Sequence, residues 1–122
     1  MQPTNIFTKK EVDKKTAGGI SYIRTKGNQI MGLAVNKKKN PKAPNIITVS
    51  NKGDQIIKKA ELLANCNHSF PVYLKLGDNQ WMYKGNFIVN RYSHDSTDIQ
   101  EYHGKRTVEK IHGILFLEKK SD

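Results

Sequence analysis

The sequence predicts an α+β domain in which a small, curved, mixed β-sheet or partly open barrel carries one or two short helices. Three observations lead there. Short β-branched and aromatic segments recur along the chain, separated by turns rich in Gly, Asn, Asp and Pro. One segment, residues 54–64, has a convincing helical period. A chain of 122 residues leaves room for a single domain, 1–122, with a small core.

Thr8-Lys9-Lys10-Glu11 has the capping-box pattern, a hydroxyl at the cap and a carboxylate three residues on. It opens a short helix that ends near Thr16, before Gly18-Gly19. Residues 20–23 and 29–35 read as strands around a turn at Lys26-Gly27-Asn28. Residues 37–45 form a loop, because two prolines and three consecutive lysines do not fit inside a sheet. The β-branched run 46–50 is a short strand. Asp54 is a plausible N-cap for the main helix, where Ile56, Ile57, Ala60, Leu63 and Ala64 make one apolar stripe. Residues 71–76 and 80–84 pair across a hairpin turn at Gly77-Asp78-Asn79. A further strand, 86–92, follows Gly85, which marks a bulge or tight corner. Residues 93–98 read as a polar loop, and 113–117 as a buried closing strand.

Charge supplies the first functional clue. The formal net charge is +10 and the pI about 9.7. Residues 1–53 hold eleven basic side chains against Glu11 and Asp13, a surplus of nine. The remaining 69 residues are nearly balanced, with ten basic and nine acidic groups. A fold with one basic side receives polyanions, since neutralising phosphates releases condensed counterions. A Lys- and Asn-rich composition alone, or an acidic protein partner, also accounts for such a face. The longest apolar run, residues 114–117, is far short of the roughly 18 residues of a membrane helix. Met1-Gln2-Pro3-Thr4-Asn5 lacks a signal-peptide core. The lone Cys66 allows neither an intrachain disulfide nor a cysteine-based zinc site. A reduced, soluble, cytoplasmic domain is expected.

Catalytic constellations find little support. Cys66 stands two residues from His68, a spacing more typical of an incidental thiol than of a nucleophile and its base. His68, His94, His103 and His112 lack metal-ligand spacing, although His94-Asp95 and His103 fall in one polar region. Glu109-Lys110 and Asp54 do not form the carboxylate cluster of a metal-dependent nuclease. Gly18-Gly19 has no lysine and hydroxyl in phosphate-loop positions. The expectation is no enzymatic activity, no cofactor and no metal. The aromatics are more informative. Trp81 and Tyr83 alternate on one strand and so share a face, with Arg91 and Tyr92 ending its partner. Aromatic faces beside cations stack unpaired bases, although aromatics at period two also form the core of small barrels.

Two stretches carry a family resemblance. Gly19-Ile20-Ser21-Tyr22 with Gln29-Ile30-Met31-Gly32-Leu33-Ala34-Val35 resembles the opening of SRA (YDG) domains, which read modified cytosine. Pro71-Val72-Tyr73-Leu74-Lys75 followed by Trp81-Met82-Tyr83-Lys84-Gly85-Asn86-Phe87-Ile88-Val89 is similar to the later part of the same family and of related PUA-like readers in modification-dependent restriction systems. The resemblance spans residues 19–92 as a pattern of strands. It implies a curved barrel flanked by a helix, holding a base flipped out of double-stranded DNA, with 5-methylcytosine as the mark the resemblance suggests. It also implies a nuclease or helicase domain in the same or a partner chain. The family's acidic loop is replaced here by Lys37-Lys38-Lys39-Asn40-Pro41-Lys42, and Asp54 is the nearest carboxylate by position. On this reading Arg24, Lys26, Lys37, Lys38, Lys39, Lys42, Lys84 and Arg91 hold the DNA, while Trp81, Tyr83, Tyr92 and Asp54 form the base pocket. The alternatives are a PUA-like RNA-binding domain and a basic adaptor that docks an acidic protein.

Overall fold

A computed structural model describes residues 6–19 and 21–120. The chain runs β1 (Ile6–Phe7), α1 (Lys9–Thr16), β2 (Ile23–Lys26), β3 (Gln29–Asn36), β4 (Ile46–Ser50), α2 (Asp54–Ala64), β5 (Phe70–Gly77), β6 (Gln80–Ser93), α3 (Ser96–Tyr102) and β7 (Ile111–Lys119), with a 3-10 turn at Val108–Lys110. One mixed sheet in the order β2-β3-β5-β6-β7-β4 curls into a half-barrel, and β1 pairs with β6 off that path. The α+β class and the curved sheet with short helices are those the sequence predicts. Among the described residues no helix is long and apolar enough to cross a membrane.

The curl originates in β6. The sequence suggests two strands divided at Gly85, but the chain bends there without breaking, and the strand continues for 14 residues. Gly85 sits at φ +112°, and the pairing with β5 shifts register between Val72 and Tyr73, leaving Lys84 as the extra residue of a bulge. The first half of β6 pairs with β5 as far as Phe87; from Phe87 to Ser93 it pairs with β7. Passing one strand from one neighbour to another rolls the sheet. The concave side collects Ile23, Leu33, Val35, Ile47, Val49, Phe70, Val72, Leu115 and Leu117. Across it lies α2, which touches both free edges, β2 and β4. The buried face of α2 is Ala60 and Leu63, with Ile56 and Leu62 partly covered. Its N-cap is Gly53 rather than Asp54; Asp54 takes the first helical position, where its charge suits the helix dipole but makes no side-chain cap.

The other face is closed by α1. Its capping box forms as the sequence predicts: the Thr8 amide donates to Glu11 Oε1 at 2.8 Å, and the Glu11 amide to Thr8 Oγ1 at 3.2 Å. A cap of this kind is worth about 1 kcal/mol. Val12 on this helix packs with Ala34, Tyr73 and Trp81, and Phe7 and Tyr83 complete this smaller core. The two residues of β1 pair with Trp81 and Met82; so short a strand has no periodicity to read in the sequence.

Two expectations need correction. The strand expected at 20–23 begins at Ile23, and Ile20 lies outside the described residues, as does the N-terminal segment 1–5. The polar loop expected at 93–98 is instead the end of β6 and the start of α3. This helix buries Ile99 against Ile111 and Ile114, and the Tyr102 ring meets Phe116 edge-on at 5.3 Å. Two apolar residues in seven give too little period for a sequence pattern.

Gly32 tests how closely α1 sits on the sheet. Its φ is +151°, and a Cβ there would lie 2.9 Å from the Pro71 carbonyl oxygen and 3.0 Å from Thr16 Cγ2. Gly32→Ala should cost about 1–3 kcal/mol in urea unfolding. A variant as stable as the parent would mean that β3 can shift away from both Pro71 and α1 at no cost.

Candidate functional site

Curling leaves a cleft of about 320 Å³ over the α1 side of the sheet. Its floor is Ala34, Asn36, Lys75 and Trp81, from adjacent strands β3, β5 and β6. Its walls are Lys9 and Gly19 around α1, Tyr22 and Arg24 at β2, Lys39 and Asn40 from the β3–β4 loop, and Arg106 from the turn before β7. A volume of this size falls in the range of small-molecule sites. Trp81 is 7% exposed, and Lys75 Nζ lies 5.9 Å from its ring centroid, within reach of a cation–π contact.

The walls are held by two polar anchors. The first is Thr48 on β4, itself buried. Its amide and hydroxyl both donate to Asn40 Oδ1, at 2.9 and 3.1 Å. Its hydroxyl also accepts from Arg106 NH1 at 3.0 Å, and its carbonyl accepts from the Tyr22 hydroxyl at 3.4 Å. Burial drives the Tyr22 hydroxyl well above the ordinary phenol range, so it stays a neutral donor. The second anchor is Asp13 on α1. Its two oxygens take Lys9 Nζ and Arg24 NH1, each at 2.8 Å. These bonds, that to Lys9 foremost, hold the Asp13 carboxyl below its usual range. Arg24 is only 4% exposed, and its Nε is buried without a hydrogen-bond partner among the described residues.

The residues proposed from sequence separate by location. Arg24, Lys39 and Trp81 meet in the cleft. Arg24, expected from the sequence to hold DNA, is a buried wall residue bonded to Asp13. Lys37 and Lys38 flank it, lining an open groove with Lys75, Lys105 and the exposed Leu76. Lys75 lines both depressions, so the cleft and the lysine groove adjoin on one face.

Other candidates lie elsewhere. Lys26 is exposed at the end of β2 and lines neither depression. Lys42 stands 5.3 Å over the Tyr102 ring. Arg91 pairs with Asp98 at 2.9 Å and stacks 4.0 Å from the Phe116 centroid. Lys84 and Tyr83 line a separate depression with Pro44 and Asn45. Tyr83 shares the Trp81 face, as alternation predicts, but it packs on Tyr73 and donates to Asn86 Oδ1 at 2.9 Å. Tyr92 belongs to the far end of β6, packed against the main core and His94; its buried hydroxyl has no partner among the described residues, and burial pushes its pKa up to about 12. Asp54 is exposed on α2 and does not line the cleft. His94 lies against His112, with ring centroids 4.8 Å apart, while His103 Nδ1 is bonded to the Arg106 carbonyl.

Sequence reading missed Lys9, Tyr22, Asn36, Asn40, Lys75 and Arg106. Tyr22 and Lys75 fall within the resemblance, and Asn40 within the lysine loop that stands in place of the family's acidic one, but none was singled out. The chain matches no family model, no curated protein and no solved structure.

The Asp13 anchor gives a pH test. A carboxyl whose folded pKa is lowered adds stability while it is ionised and loses it as pH falls through that lowered value. The stability difference between the parent and Asp13→Asn should therefore be constant above about pH 5 and shrink progressively below about pH 4. Urea titrations across pH 2–7 measure it, and a difference that grows on acidification would contradict the assignment.

Proposed function

We propose that this chain is a non-catalytic DNA-binding module, and that the cleft above Trp81 receives a modified base turned out of the duplex. The observation that carries the reading is the adjacency of two depressions: a tryptophan-floored cleft sized for a small ligand and the lysine groove share Lys75 in their walls. Stacking on an aromatic side chain contributes about 1–3 kcal/mol per base. Lys37, Lys38 and Lys105 are placed beside the cleft mouth, where they would hold backbone phosphates and set register without reading sequence. Selectivity then belongs to the cleft. Lys26, Lys42, Lys84 and Arg91 drop out of the interface proposed from sequence, as do Tyr83, Tyr92 and Asp54 from the pocket, because none lines this face. In a modification-dependent restriction system, the setting the resemblance implies, cleavage would be the work of another domain or partner chain.

Fluorescence anisotropy at about 150 mM salt tests the reading. One duplex is prepared with cytosine, 5-methylcytosine, 5-hydroxymethylcytosine, 5-carboxylcytosine or N6-methyladenine at a single site, beside an RNA duplex and an RNA hairpin. The expected result is at least a tenfold preference, about 1.4 kcal/mol, for one modified duplex. Preference for RNA would move the chain to the RNA-binding alternative, and absence of binding to an adaptor role. The double variant Lys37→Ala/Lys38→Ala should weaken every duplex alike and flatten the log–log salt dependence by about 2. Loss confined to one modification would take those lysines out of the phosphate role.

A further inference from the structure

The cleft side chains point almost wholly to one kind of hydrogen bond. Lys9, Arg24, Lys39, Lys75 and Arg106 are donors only, and among the described residues no carboxylate lines the cleft. The carbonyl oxygens of the two amides, Asn36 and Asn40, are engaged within the protein. Asn40 Oδ1 takes both donors of Thr48, and Asn36 Oδ1 takes the Lys38 amide at 2.9 Å. Backbone amides can only donate, so these bonds fix which end of each side chain is oxygen; Asn40 retains only its NH₂ group for a ligand, and Asn36 retains its NH₂ group and one lone pair. The Tyr22 hydroxyl is turned onto the Thr48 carbonyl. Asp13, behind the wall, is shared between two of the five cations. Arg24, buried in the wall, has an Nε–H with no hydrogen-bond partner among the described residues.

We propose that the base read in this cleft carries an anionic, acceptor-only substituent, in the first place a carboxylate at C5 of a pyrimidine, and that a 5-methyl group is not its preferred mark. The inference rests on the base-pocket reading above and specifies its ligand. A methyl group would leave the donors facing it without partners, whereas a carboxylate satisfies several with charge-assisted bonds.

The test compares duplexes identical except for one cytosine, 5-methylcytosine or 5-carboxylcytosine, all with 5′-hydroxyl ends, and an unmodified duplex with 5′-phosphates. Full-length chain is titrated against each by anisotropy at fixed salt. The expected order places 5-carboxylcytosine at least tenfold tighter than 5-methylcytosine. Asn40→Asp keeps the oxygen that Thr48 needs and replaces the NH₂ donor by a second oxygen, so the fold should persist while that preference falls by tenfold or more. Circular dichroism melting checks that the variant is folded; if it is not, Lys39→Gln, which removes one cleft charge at an exposed position, should reduce the same preference. A 5-methyl preference overturns this inference and leaves the base-pocket reading standing. Tightest binding to 5′-phosphate ends overturns it in favour of a terminal-phosphate site. Equal affinity for all duplexes overturns the pocket reading and the inference together.

Discussion

A half-barrel has two free edges, and here β2 and β4 are too far around the curl to pair with each other. An open seam exposes unpaired backbone groups and lets the sheet flatten. The protein bridges it with side chains. Below, α2 spans both edges with its apolar face; above, Thr48 on β4 takes Asn40, Arg106 and Tyr22 from three other segments. These bonds are the constraint on which the site depends. They fold the lysine loop down against β4 and give a flexible, polar segment a fixed place beside Trp81. Each is a bond of a buried or half-buried group, so breaking one leaves a partner unsatisfied, at a cost of about 1–3 kcal/mol.

The same bridging determines the chemistry of the cleft. Asn40 can anchor the loop only by giving its carbonyl oxygen to Thr48, and this leaves an amide donor. Arg24 can be buried only because Asp13 on α1 meets it, and Asp13 in turn holds Lys9 at the rim. Structural needs thus consume acceptors and leave donors, and the lysines of the first half of the chain accumulate where the acceptors are gone. A positive, donor-rich cleft with an aromatic floor follows from how the seam is closed.

Much of the fold was legible because its signals are local. The Thr8–Glu11 capping box, the stripe on residues 54–64, the turn at Asp78-Asn79 and the bend at Gly85 each depend on residues close in sequence. The cleft was only partly legible. Trp81 and Lys39 could be chosen as an aromatic and a cation, but Asn40 and Arg106 matter through Thr48, 8 and 58 residues away, and no pattern within either segment records that bond. Tyr92 and Arg91 misled for a related reason. They have the right side chains on the right strand, but β6 bends and changes partners at Phe87, which carries them to the far side of the sheet. Alternation predicts which face a residue takes, not where a 14-residue curved strand delivers it.

Trp81 is the single tryptophan of the chain and lies at the cleft floor. Its emission therefore reports on the cleft floor and on the small core of Val12, Ala34 and Tyr73 around it. Titrating duplex DNA carrying the preferred modification while recording tryptophan fluorescence and anisotropy together tests the account most directly. If a base stacks in the cleft, emission changes saturably with the same midpoint as the anisotropy, and the unmodified duplex binds more weakly with little change. Tight binding by anisotropy with Trp81 emission unaltered by any duplex would contradict the account and place the DNA on the lysine groove alone.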